Sequence, residues 1–492
     1  MAKFNEKNTI KTTNRSGHVA YKLGMKEDLM SKVLTTFYNE SKFYGDTSNE
    51  IVEIATELAK TDPKFVSNLA RYARKEMHLR SVAHVLTCVV ANVVETKPYI
   101  GQTVYDVVER ADDLTEILAC YINMYGKPIP NGLKKALAKN IKRFDEYSLA
   151  KYDKDSSKFK FRDILRITHA KPENEEQNEL FNKVLNDGLE TPITWETVLS
   201  DANDKRSKKE KWESLIEEDK LGYMAILRNL RNMLNEDIGY ASMSKITETL
   251  SNRGRVLKSK QLPFRFFSAY NEIKNNSHCT SKLLDALETA IEHSVMNTPK
   301  LKGRTLIAID ASGSMTGRTS DKSNVSCHDI ACLLGVLASR ICDDSITIDF
   351  ASDYWGGRNG RIKDCKKYDI STKSGILSQM SKFLPANGGT PMSAPFNYLM
   401  NNNIEVDRII ILSDNDTNSE SKAIQSYLNK YREKFGNPNV WVHGIDLQGY
   451  GTTQFNGRNT SFITGWNEKV LEFINLIEEG VSSQVKKIEN YD

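Results

Sequence analysis

The stretch "TLIAIDASGSM", Thr305 to Met315, runs from apolar residues into an acid, two serines and a glycine. That ending stops a strand and supplies oxygen donors at once: Asp310, Ser312 and Ser314. A second apolar run, "RIIILSD", delivers Asp414, and "NGGTP" puts Thr390 on a glycine-flexed loop just before a helix. Two carboxylates and three hydroxyls, with neither His nor Cys, form an all-oxygen set. Such a set suits Mg²⁺, or Mn²⁺, in near-octahedral geometry with water in the remaining positions. The competing chemistry is that of an aspartyl phosphatase, which needs a second carboxylate two residues beyond the nucleophile to carry the proton. Here that position is Ser312. No G-x-x-x-x-G-K-[ST] loop is present, and spacing assembles no Ser-His-Asp or Cys-His set. Binding, not catalysis, is the expected use.

The elements that must position these oxygens are legible around them. Strand candidates at 305–310, 345–351, 408–413 and 440–446 alternate with helical windows at about 326–341, 373–384, 418–434 and 467–479. Continuous apolar strands alternating with helices predict a mostly parallel, doubly wound α/β sheet covered on both faces, whose ligands bind at the carboxyl ends of the strands. Before residue 300 the apolar period is helical. Ile51, Ile54, Ala55 and Leu58 fall at i, i+3, i+4 and i+7, and Phe65, Leu69 and Ala73 at i, i+4 and i+8, with Asp62 and Pro63 between the two sets as N-cap and first-turn proline. Further windows follow at about 80–94, 113–124, 131–143, 160–169, 194–200, 220–234, 242–250, 263–274 and 280–294. Short helices in series, each apolar on one side, predict an all-α solenoid; a large irregular helical domain is the alternative. The chain thus divides into residues 1–300 and 301–492.

At 492 residues, 39% hydrophobic and 27% charged, the chain has the composition of a globular protein of several domains. The net charge of +4 conceals a split: residues 301–492 hold 21 Lys+Arg against 22 Asp+Glu, and residues 1–300 hold 47 against 42. A polyanion is therefore expected on the first part. Seven scattered cysteines without a C-x-x-C pair read as reduced thiols. His78, His84 and Cys88 could share a helix face, but a closed zinc site lacks its fourth ligand there. The start "MAKFNEKNTIKTTN" lacks a secretory apolar core and no run reaches the roughly 18 apolar residues of a membrane span, so a cytoplasmic protein without membrane partners is expected.

The D-x-S-G-S pattern, the later Thr in a Gly-rich loop and the later S-D resemble the metal-ion-dependent adhesion site (MIDAS) of von Willebrand factor A domains. In order, "NRSGHVAYKL", "YARKEMHLRSVAHVL", "GKPIPNGLKKALA", "FRDILRITHAKP", "ITWETVLSD", "MAILRNLRNML" and "LPFRFFSAY" resemble the TROVE module of Ro autoantigen proteins, over roughly residues 14–295. The resemblance implies HEAT-like helical repeats closed into a ring and clasped by the second domain. It also implies small non-coding Y-like RNA on the outer surface and single-stranded RNA ends in the central hole, in RNA quality control. An exoribonuclease, or another acidic protein at the metal, is the implied protein partner. The family's RNA-contacting histidine maps to His169, with Lys171, Arg166 and Arg162 around it and Lys151, Lys154 and Lys158 as a nearby basic cluster. Arg71, Arg74, Arg80, Lys134 and Lys135 are candidates for the hole or its rim, and "KRSKKEK" (205–211) is expected to be a mobile basic insert. Alternatives to RNA binding are a metal-dependent protein-interaction module with the helices as scaffold, or a Mg²⁺-dependent phosphohydrolase.

Overall fold

The computed structural model describes residues 10–35, 46–153, 157–190, 194–201, 203–295, 300–318, 325–352, 365–371, 373–418, 422–466, 469–480 and 483–491. The chain forms two compact units. One comprises Met1–Thr36 with Leu221–Lys486, the other Phe37–Lys220 with Lys487–Asp492. The sequence boundary near 300 separates helical from α/β chain, whereas the compact units divide at 36, 220 and 486. Among the described residues no helix is long and apolar enough to cross a membrane.

In the first unit, strands β1 (Lys11–Thr13) and β2 (Val19–Lys22) form a hairpin. Then come β3 (Leu301–Asp310), β4 (Cys342–Phe350), β5 (Cys365–Tyr368), β6 (Arg408–Ser413), β7 (Trp441–Asp446), β8 (Thr452–Thr453) and β9 (Thr460–Thr464). Six of them make one sheet in the order β5-β4-β3-β6-β7-β9. The pairs β3–β4, β3–β6, β6–β7 and β7–β9 are parallel and β5 is antiparallel at the edge, which is the doubly wound sheet expected. The chain runs outward from β3 to β4 and then crosses to β6, so the order reverses beside β3. That reversal opens the crevice in which such sheets bind ligands.

Both faces are covered. Leu306, Ala308, Ile348, Ile409, Ile411, Phe396 and Tyr431 belong to one core cluster. On the other face helix Cys327–Ile341 lies so close that a Cβ on Gly335 would stand 2.5 Å from Ile309 Cδ1, which explains a glycine inside a helix. The hairpin was not expected from the sequence. Its strand β2 pairs with β8, and its loop and the following helix Met25–Leu34 are tied to the carboxyl ends of the large sheet. Asn14 Nδ2 donates to the Thr417 carbonyl at 2.7 Å and Ser31 Oγ to Asp446 Oδ2 at 2.5 Å.

The second unit is helical. Asp62 caps helix Pro63–Lys75 by accepting from the Phe65 N–H at 3.2 Å, as expected. The helices Ile100–Val107, Glu146–Tyr152 and Glu175–Leu185 lie outside the expected windows. Residues 205–211 correct the expectation of a mobile insert. Ser207 and Glu210 make a capping box that starts helix Lys208–Glu217, Trp212 is buried and stacks on Trp195 with centroids 6.1 Å apart, and the buried Lys211 donates to the Asp201 carbonyl.

Candidate functional site

Asp310 ends β3 and Asp414 follows β6, at the order reversal of the sheet. Both are fully buried, as is Thr390; Ser312 is buried and Ser314 exposed. Asp310 is held through both oxygens: Oδ1 accepts the Ser312 N–H at 2.9 Å and Oδ2 the Ser413 hydroxyl at 2.6 Å. Ser413 was not singled out in the sequence, although the "SD" pair carries it. The Ser312 and Ser314 hydroxyl oxygens stand 3.1 Å apart.

Thr390 is delivered by a loop that requires glycine. Gly388 has φ +82°, a Cβ there would collide with the Ser352 carbonyl, and its own carbonyl accepts the Gly313 N–H at 2.9 Å. The Thr390 N–H donates to Asn418 Oδ1 at 2.7 Å, and its carbonyl accepts from Thr417 Oγ1 at 2.8 Å. All five sequence-predicted oxygen donors therefore gather at this end of the sheet.

Two of the five keep atoms unsatisfied. Thr390 Oγ1 and Asp414 Oδ2 are buried without a hydrogen-bond partner among the described residues. Burial, and next the charge of Asp310, push the Asp414 carboxyl far above its ordinary value, up to about 8, against the pull of the Ser314 hydroxyl and the Asp416 N–H. A buried, partly orphaned pair of acids is costly unless a cation joins it. Hard oxygen donors with room for water match Mg²⁺ or Mn²⁺ chemistry, so these residues fit the group expected from the sequence. The set opens into a cleft of about 520 Å³ lined by Arg15, Ser16, Gly313, Ser314, Thr316, Gly317, Asp416, Asn418 and Tyr450.

A Ser-His-acid chain, invisible to spacing, forms elsewhere in this unit. His443 joins Ser461 at 2.7 Å and Glu478 at 3.0 Å. The imidazole is fully buried and Glu478 also binds Arg408 through both oxygens, so the arrangement ties helix Lys469–Glu478 to the sheet.

In the helical unit, Phe161, Ile164 and Leu165 bury one face of helix Phe161–Thr168, and Arg166 stands exposed on the other. His169 ends the helix in the left-handed conformation, φ 52°, exposed, with the exposed Lys171 two residues on. Glycine ordinarily fills that position, and a histidine there carries backbone strain of about 1–2 kcal/mol. Arg162 is half-buried and paired with Asp187, Lys158 is exposed, and Lys154 lies outside the described residues. Lys134 is half-buried and Lys135 exposed on helix Asn131–Ile141.

Arg71 and Arg74 require a correction. They are buried: Arg71 donates to Asp106 at 2.6 Å and Arg74 to Asp113 at 3.1 Å. Arg80 donates to the same Asp113 at 2.5 Å and pairs with Asp112 at 2.8 Å. The Arg71 and Arg74 charges join helices together and do not face solvent, while Arg80 is half-buried. His84 also binds Asp113, at 2.9 Å, and among the described residues no group of His, Cys, Asp and Glu is arranged to hold a metal. Cation–aromatic pairs nearby were missed: the Arg143 guanidinium lies 4.4 Å from the half-exposed Tyr105 ring, and Lys151 5.9 Å from that of Tyr147.

Comparison with known proteins places the chain. The TROVE domain model matches residues 12–188 and 187–282, and the Ro60 vWA domain model matches 304–476. Relatives include "RNA-binding protein RO60" of Caenorhabditis elegans, 24% identical over 258 residues, covering 49% of this chain and 37% of that protein. The protein of the same name from Deinococcus radiodurans is 23% identical over 261 residues, covering 50% and 47%. "Telomerase protein component 1" of Rattus norvegicus is 24% identical over 328 residues, covering 50% of this chain and 12% of that protein. The chain spans less than half the length of each of these relatives. The crystal structure of the Deinococcus radiodurans RO (RSR) protein superposes with a TM-score of 0.59 at 17% identity, over 93% of this chain and 100% of that one, which establishes a shared fold. A TROVE region followed by a von Willebrand factor A domain of the Ro60 type is the arrangement of Ro proteins, and the chain belongs to that family.

Proposed function

We propose that the chain is a non-catalytic, cytoplasmic RNA-binding protein. Its helical part takes small, Y-like non-coding RNA on its outer surface and single-stranded RNA ends in a central hole, in RNA quality control. The observation that carries this reading is the end of helix Phe161–Thr168, where Arg166, His169 and Lys171 stand exposed together and His169 holds a strained backbone. Cations at a helix carboxyl end are stabilised by the helix dipole yet remain available to phosphates. The half-exposed Tyr105 and Tyr147, each beside a cation, add faces on which bases can stack. Two relatives bear the name RNA-binding protein, and the positive surplus lies before residue 301. The free state of all seven cysteines suits a reducing compartment.

The α/β part serves beside it as a metal-dependent adhesion domain. Asp310, Ser312, Ser314, Thr390 and Asp414 would hold Mg²⁺, or Mn²⁺, directly or through water. The ion, when bound, supplies an open coordination position for an anionic ligand such as an acidic exoribonuclease surface. The orphaned Asp414 and Thr390 oxygens favour this second role.

The test is a salt titration of binding to a stem-loop RNA with a single-stranded tail and to its blunt form. Replacing Arg166 and Lys171 together by Gln is expected to weaken binding and to flatten the salt slope by about 0.7–0.9 per lost phosphate contact. A double variant with wild-type slope and affinity on both RNAs rejects this surface, and equal binding of tailed and blunt RNA rejects use of a hole.

A further inference from the structure

The metal cleft has a wall that the adhesion motif does not account for. The loop of the β1–β2 hairpin brings Arg15 and Ser16 into the lining, opposite Gly313, Ser314 and Thr316 of the motif loop. The loop is fixed there by polar bonds. The Ser16 N–H and hydroxyl both donate to the Asp416 carboxylate, at 3.2 and 2.9 Å, while Asn14 bonds the Thr417 carbonyl and accepts the His18 N–H. Asp416 is two residues from Asp414, so the hairpin reports directly on the loop that carries the metal-site acid.

Arg15 is placed differently from its neighbours. It is exposed, and among the described residues no carboxylate pairs with it; its guanidinium carbon lies 5.2 Å from the Tyr450 ring centroid, over a second lining residue. The ring contact and a hydrogen bond to the Tyr450 hydroxyl hold the guanidinium in place and leave its other N–H groups for a carboxylate. The cleft therefore presents two cationic points to a ligand, the metal and Arg15, on walls that otherwise carry hydroxyls, amides and the Asp416 carboxylate. At about 520 Å³ it has the size of a ligand pocket and accommodates a short segment of chain.

We propose that Arg15 is a specificity-determining residue of the metal cleft: it selects an acidic peptide segment of a protein partner, one carboxylate completing the metal's shell while a second meets the Arg15 guanidinium. The inference rests on the metal reading above. The occupant is chosen on charge complementarity, two cationic points against two spaced carboxylates, and a phosphodiester chain is the alternative that the test separates.

The experiment uses the intact chain and fluorescence anisotropy with two labelled probes, the peptide Asp-Gly-Glu-Gly-Asp-Gly and hexauridylate, each in Mn²⁺ and in EDTA. Metal-induced thermal stabilisation is measured in parallel. The peptide is expected to bind in Mn²⁺ and not in EDTA. Arg15→Ala weakens it about tenfold or more, as loss of a charge-assisted bidentate contact requires. Arg15→Lys recovers part of the loss, and the Mn²⁺ thermal shift is the same in all three proteins. Unchanged peptide affinity in Arg15→Ala with an intact Mn²⁺ shift overturns this inference alone. Absence of a Mn²⁺ shift in the wild type overturns it together with the metal reading. Failure of the wild type to bind the peptide in Mn²⁺, or capture of hexauridylate instead in a metal- and Arg15-dependent way, overturns the assignment to an acidic protein segment.

Discussion

Asp414→Asn reverses an ordering that an ordinary structural acid would preserve. In the fold without metal, burial and the nearby Asp310 raise the Asp414 carboxyl from 3.8 to about 8. Asp310 accepts from the Ser312 N–H and the Ser413 hydroxyl. For an acid whose folded value is raised, the fold holds the proton more tightly than the unfolded chain does. Stability therefore falls as pH rises through the window between those two values, by about 1.4 kcal/mol per pH unit at most, and the penalty is constant above it. Asparagine removes the titrating group and keeps an oxygen for the Asp416 N–H, which now donates to Asp414 Oδ1 at 3.2 Å. In EDTA the variant is expected to melt at or above the wild type near pH 8, with the gap widening from about pH 5 upward. With metal the order inverts. At a hundredfold excess over Kd the wild type gains about 2.7 kcal/mol, or about 4 °C for a unit the size of Met1–Thr36 with Leu221–Lys486, and the variant gains none. Thermal melts by circular dichroism at several pH values, in EDTA and in Mg²⁺, measure both effects. A variant less stable than wild type in EDTA at every pH, or one that keeps the full Mg²⁺ shift, refutes the reasoning.

Three other outcomes are expected. EDTA leaves RNA affinity within about threefold, under about 0.7 kcal/mol, because the basic surplus and the metal set belong to different stretches of chain; filter binding with and without EDTA checks this. Asp113→Asn destabilises the helical unit by about 3–5 kcal/mol in urea unfolding, since that buried carboxylate accepts from Arg74, Arg80, His84 and the Glu109 and Arg110 N–H groups; a loss below about 1 kcal/mol contradicts the hub role. Burial raises Glu478, but its bonds to Arg408 and His443 outweigh that and bring it down from 4.5 to about 2. Its contribution is therefore complete above the ordinary value and is lost as pH falls toward 2, so Glu478→Gln is expected to flatten the acid limb of a stability–pH curve over that window.

What could be read in the sequence follows the range of the interactions. β6 spans Arg408–Ser413, the expected residues, because a strand buried on both faces is written as an unbroken apolar run. The five oxygen donors were legible because each closes or follows such a run or a glycine loop. Arg71 and Arg74 were not, because their partners Asp106 and Asp113 lie 35 and 39 residues away and a basic helix face looks the same whether water or an acid meets it. Helix Lys208–Glu217 was hidden by its charge: four buried residues, Lys211 among them, hold it in place. The β1–β2 hairpin was hidden by its brevity, three and four residues paired with a two-residue strand more than 400 positions on.

That hairpin changes how the metal site is understood. The motif alone describes five donors, but the two acids are unequal. Both oxygens of Asp310 accept, one from the Ser312 N–H of the following loop and one from the Ser413 hydroxyl of the neighbouring strand, which fixes its orientation. Asp414 has one oxygen without a hydrogen-bond partner among the described residues, and so has the Thr390 hydroxyl. On the metal reading proposed above, direct coordination falls to Asp414 and Thr390, and the loop after Asp414 is gripped by Ser16 through Asp416 and by Asn14 through Thr417. A change at the hairpin reaches these donors through Asp416 and Thr417, and a change at the end of β4 reaches them through the Phe350 carbonyl, which accepts the Ala311 N–H at 3.0 Å, and through Ser352, whose hydroxyl accepts the Gly389 N–H at 3.0 Å. The N-terminal loop and the adhesion motif of the first unit thus line one cleft.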